Sequence, residues 1–188
     1  MNIKKLEKLL EAVLFAVGEP IEIERLSQAI ETDELLLQTA LQNLKEKYED
    51  EDRGICLLRL DNKYQICSCK EYADEIRKVL EVKRNTPLSQ AAFEVLAIIA
   101  YNQPVTKSFI EQIRGVDCSG VISSLCQKEL IEERGRLDLP GRPLIYGTTS
   151  NFLRCFSLTS LDDLPKIPEK EETEEKSEKN SAEDNTDL

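Results

Sequence analysis

Six cysteines and no histidine limit the chemistry open to this sequence. Cys67 and Cys69 are spaced C-x-C, whereas Cys56, Cys118, Cys126 and Cys155 stand singly. A four-cysteine zinc site ordinarily shows two C-x-x-C pairs. None is present, so free thiols are expected, with no metal ligands. The stretch "GVDCSG", Gly115–Gly120, has the glycine spacing of a phosphate-binding loop. Such a loop continues with Lys and then Ser or Thr, which reach the phosphates and their Mg²⁺. Val121 and Ile122 occupy those positions, so the reading is rejected. Acid–base catalysis without histidine needs paired carboxylates in a cleft. Glu132-Glu133 and Asp162-Asp163 are adjacent in sequence and read as solvated or capping groups. No catalytic residue and no cofactor site is assigned, and the chain is not read as an enzyme.

What remains is "RGRLDLPGRPLIYGTT", Arg134–Thr149, a loop with three arginines in a chain of formal net charge −11. Phosphate binding needs a basic footprint. The helical stretch "DELLLQTALQNLKEKYE" is acidic at its start, and "DCSGVISSLCQKEL" offers one lysine, Lys128. A winged-helix DNA-binding transcription regulator is therefore the alternative reading, carried only by the loop arginines. The favoured reading is a protein contact through an apolar strip with a basic rim. Its candidate residues are Arg134, Arg136, Arg142, Tyr146, Arg154 and Leu158, with Phe152 and Phe156, which also suit a core.

The elements that position this loop follow from periodicity. Leu6, Leu9, Leu10, Val13, Leu14 and Val17 form a helical stripe, ended by "GEP" at Gly18–Pro20. A second helix covers roughly residues 23–30. Asp33 is an N-cap candidate for a third, carrying Leu36, Leu37, Ala40, Leu41 and Leu44. "ICLLRLDNKYQICS" reads as two strands around Asp61-Asn62, and residues 71–82 as a further helix with Tyr72, Ile76, Val79 and Leu80 on one side. After "KRNTP" the order repeats. Ser89 caps "AAFEVLAIIAY", "NQP" ends it, and Thr106 caps the next helix. Asp117 starts the one after that. Strands near 130–134 and in "LIYGTT" follow, then a helix with Phe152, Leu153 and Phe156, and "SLDDLP" closes the fold. An offset of 84 superposes Ala16 on Ala100, Pro20 on Pro104 and Gln28 on Gln112. Leu139-Pro140-Gly141-Arg142 fits a type II turn, with Pro presetting φ and Gly supplying a positive one.

Three helices followed by a hairpin describe a winged helix. The fold class is mainly α with small β-hairpins (α+β), as two tandem winged-helix domains. They span residues 1–82 and 88–165, joined by a linker at 83–87. Residues 166–188 hold nine acids against four lysines and almost no apolar side chain, so an acidic, disordered tail is expected. The first lysines and apolar run imitate a signal peptide, but Glu7 and Glu11 interrupt it and no cleavage site follows. A cytoplasmic protein without a membrane span is expected. Each small unit alone buries only about 60% of its chain surface. The apolar surface around Leu9, Val13, Leu36 and Leu37 therefore points to a homodimer through the first unit.

Four segments together carry a resemblance: "LSQAAFEVLAIIAYNQPVT", "IRGVDCSGVISSL", "PGRPLIYGTT" with "NFLRCFSLTSLDDLP", and the looser "EAVLFAVGEPIEIERLSQAI". Residues 3–165 closely resemble the segregation and condensation protein B family, a non-catalytic subunit of the bacterial SMC complex. The resemblance implies a tandem winged-helix homodimer. Its first unit would dimerise, and its second would bind the kleisin, segregation and condensation protein A. It further implies contact with the SMC ATPase through the kleisin, with DNA only indirectly, and a nucleoid-associated role in chromosome condensation and partition.

Overall fold

The computed structural model describes residues 2–80 and 87–166. The linker expected at 83–87, except Pro87, and the tail beyond Lys166 lie outside those residues. The first unit opens with helix α1 (Ile3–Val17), strand β1 (Ile21–Glu22), α2 (Ile23–Ile30) and α3 (Glu34–Asp50). The hairpin β2 (Ile55–Leu60) and β3 (Lys63–Ser68) follows, then a 3₁₀ turn (Lys70–Tyr72) and α4 (Ala73–Leu80). The second unit repeats the order as α5 (Gln90–Asn102), β4 (Val105–Thr106), α6 (Lys107–Arg114), α7 (Ser119–Gln127), β5 (Ile131–Arg136) and β6 (Leu144–Thr148). Helix α8 (Ser150–Phe156) and a 3₁₀ turn (Leu161–Asp163) close the described chain.

Local chemistry sets these bounds. α1 stops at Gly18, whose φ of 69° is the left-handed geometry that only glycine enters without strain. Asp33 caps α3 by accepting from the Leu35 and Leu36 amides. Ser89 accepts from the Ala92 amide and Thr106 from that of Phe109. α7 begins at Ser119 rather than at Asp117, whose carboxylate bonds the Ser119 hydroxyl at 2.6 Å and the Lys107 ammonium at 3.1 Å.

Each unit holds a three-stranded antiparallel sheet, ordered β1-β3-β2 and β4-β6-β5. The expectation of a plain two-stranded hairpin thus misses one short strand per unit. β1 pairs Ile21 with Tyr64, and β4 pairs Val105 with Tyr146. These short strands tie the entry to the second helix of each unit onto its wing. The first core gathers Leu6, Leu10, Leu14, Leu26, Leu37, Leu41, Leu44 and Tyr48. The second gathers Val95, Leu96, Ile99, Ile110, Leu125, Ile131 and Phe152, and it also takes in Leu60 from β2. The Asp61 amide donates to the Thr159 carbonyl at 2.6 Å, so the first hairpin's turn is bonded to the closing segment of the second unit. α4 buries none of its residues, and Val79 and Leu80 are exposed.

Candidate protein-interaction surfaces

The second wing is built as the turn chemistry requires. The Arg142 amide donates to the Leu139 carbonyl at 2.8 Å, and Gly141 sits at φ 84°. A bulge between Glu133 and Arg136 bends β5 as it approaches the turn. Arg136 donates to the Arg142 carbonyl at 3.0 Å, bracing the loop from inside. Arg134 lies back along the sheet instead of reaching the tip. It donates to the Thr148 carbonyl at 2.5 Å, sits 3.5 Å from Glu132, and crosses β6 at Gly147. A Cβ there would meet Arg134 Nε at 2.5 Å and Gln103 Oε1 at 2.8 Å. Gln103 in turn accepts from the Thr148 amide at 2.7 Å, locking the end of α5 to β6.

The apolar strip expected beside the wing is mostly spent on the unit's own core. Tyr146 is 8% exposed because β6 is the central strand and its ring faces inward; burial first, then the Glu133 carboxylate, raises its phenol pKa. Phe152 is also buried, and Leu158 is half-buried against the same core. Tyr146 therefore offers a partner little surface. Phe156 stays exposed, with its ring 4.8 Å from that of Phe152. Arg154 bonds Asn151 at 2.7 Å and reaches Cys67 of the first hairpin. The exposed apolar groups at the wing tip are Leu137 and Leu139, which lie between Arg136 and Arg142 in the loop. Periodicity misses them because a loop has no period.

In the first unit, Leu9 and Leu36 are exposed, and Val13 is partly covered by its own core. Leu37 is fully buried, since it points from α3 into α1, and has no surface left for a partner. Phe15 and Leu35 are far more open, at 79% and 71% exposure. Phe15 flanks a groove of 400 Å³ that is also lined by Ala12, Ile55 and Ile66. Glu11 accepts from the Tyr48 hydroxyl at 2.8 Å beside it. The Tyr48 phenol is pushed up by burial and by that carboxylate.

Neither third helix presents a basic face. On α7 the exposed residues include Ser119, Gly120, Ser123 and Gln127, and on α3 Lys45 is matched by Glu49 at 3.9 Å. Among the described residues no group of three or more His, Cys, Asp or Glu side chains is placed to hold a metal, and no helix is long and apolar enough to cross a membrane. All six cysteines are free thiols.

A family model described as segregation and condensation complex subunit ScpB matches residues 8–167. Segregation and condensation protein B of Ruminiclostridium cellulolyticum is 43% identical over 163 residues, covering 87% of this chain and 86% of its own. The protein of the same name from Acetivibrio thermocellus is 47% identical over 161 residues, covering 85% and 81%. Among solved structures, a dimer of ScpB N-terminal domain complexed with ScpA peptide is 27% identical, covers 41% of this chain and 96% of that one, and has a TM-score of 0.39.

Proposed function

The chain belongs to the ScpB family of segregation and condensation complex subunits, and from that membership we propose that it is a non-catalytic, homodimeric subunit that binds the kleisin. Through the kleisin it joins the SMC ATPase, touching DNA only indirectly. It works in the cytoplasm at the nucleoid, in chromosome condensation and partition. Residues 1–82 serve dimerisation and residues 88–165 serve kleisin binding.

One observation carries the kleisin contact: the second wing holds exposed apolar groups, Leu137 and Leu139, between arginines braced by backbone bonds. Apolar anchors supply most of an interface's energy, while rim charges set approach rate and register. Arg142 is the tip charge, and Arg136 holds the loop that presents it. Arg134 contributes by fixing β6 rather than by reaching outward. Co-purification of the full chain with the kleisin tests the reading, and Arg142→Glu localises it. The variant is expected to stay folded and dimeric yet bind the kleisin about tenfold more weakly, a loss of ~1.4 kcal/mol. Unchanged affinity removes the wing from the interface, and failure of the parent protein to co-purify removes the reading itself.

A further inference from the structure

Between the two units runs a groove of 1220 Å³. This exceeds the roughly 300–1,000 Å³ of small-molecule pockets and suits a stretch of polypeptide. One wall is the Gly18–Pro20 turn with β3 of the first unit, and the other is β5 with the closing turn of the second. Seven carboxylates and three cations line it, so its field is negative. Two of the cations are already matched, Lys63 with Glu22 at 3.6 Å and Arg134 with Glu132 at 3.5 Å. Glu19, Asp61, Glu129, Glu133 and Asp162 have no ion-pair partner among the described residues.

The second observation is independent of charge. Gln65 belongs to the same wall and is 5% exposed. Its Nε2 donates to the Gly18 carbonyl at 2.9 Å, and its Oε1 has no partner. A buried acceptor without a donor costs about 1–3 kcal/mol, so the wall is left short of a hydrogen-bond donor. Five unmatched carboxylates and one orphaned acceptor ask for the same thing: a cationic, donor-rich chain.

We propose that this groove is a docking site for a lysine- and arginine-rich segment of a partner polypeptide, held by the unmatched carboxylates with a donor supplied to Gln65. The site is separate from the wing tip at Arg142, so it stands or falls without the kleisin reading.

The test uses the full chain and a fluorescent octalysine peptide, followed by anisotropy at two salt concentrations. The double variant Glu129→Lys with Glu133→Lys is compared with Glu46→Lys plus Glu49→Lys on the outer face of α3, which changes net charge equally. The groove variant is expected to bind about tenfold more weakly, with the parent's affinity falling as salt rises. The α3 variant is expected to match the parent within about twofold. Equal loss in both variants shows attraction to bulk charge only and overturns the site, as does absence of binding by the parent at low salt. Circular dichroism confirms that both variants are folded before either result is read.

Discussion

At Gly147 the absence of a side chain decides where an arginine lies. Arg134 and Gln103 both occupy the space a Cβ would take, and both bond Thr148. Gly147→Ala forces the arginine aside and strains the amide that joins α5 to β6. Crowding of this kind costs ~1–3 kcal/mol. A lower urea midpoint with an unchanged slope, and loss of part of the cost when Arg134→Ala is added, with the Gln103 contact at 2.8 Å keeping the rest, are the expected readings. Asp117 works by charge instead. Hydrogen bonds from Ser119 and Lys107 lower its carboxyl pKa from 3.8 to about 2, and Thr159 and Ser160 hold Asp163 below the usual carboxylate range. A carboxyl depressed in the folded state stabilises above its unfolded pKa, and that gain is lost as pH falls through the folded one. Stability is therefore expected to drop with acid between 3.8 and about 2, and Asp117→Asn to flatten that slope in urea titrations across the range.

At the scale of elements, what was legible had a local signature. Asp33, Ser89 and Thr106 cap helices because a short polar side chain before an apolar period satisfies free amides. The type II turn at Pro140-Gly141 was equally readable. β1 and β4 were not, because two residues cannot show a period of two. Side-chain destinations were legible only in part. Leu36 and Leu37 share one stripe, yet α1 covers Leu37 and leaves Leu36 open. Tyr146 reads as strand but not as central strand, which depends on the unseen β4. Leu60 is the sharpest case: its sequence places it in the first hairpin, and packing places it in the second core. Leu60→Ala is expected to cost ~2–5 kcal/mol. In hydrogen exchange the loss should appear in α5 and α7 while α1 and α3 keep their protection. Protection lost from α1 and α3 instead places Leu60 in its own unit's core.

For the whole molecule, the distribution of apolar surface matters more than any single contact. A domain this small leaves much of its chain surface uncovered, and the first unit exposes Leu9, Phe15, Leu35 and Leu36 on α1 and α3. Open leucines and phenylalanines on adjoining helices are costly in water, at roughly 25 cal/mol per Å² of apolar area. A second copy offers the same surface, and a two-fold axis lets each copy cover the other's patch. Leu37 takes no part, since α1 already covers it. Leu9→Glu with Leu36→Glu places charge on two exposed positions and leaves both cores intact. In the full chain this variant is expected to sediment as a folded monomer at tens of micromolar, where the parent is expected to sediment as a dimer. Leu37→Ala should behave in the opposite way, lowering the melting temperature through a cavity in the first core while leaving the dimer in place. A Leu9 and Leu36 variant that remains dimeric moves the interface to other surfaces, of which the open end of α4 at Val79 and Leu80 is the next to change.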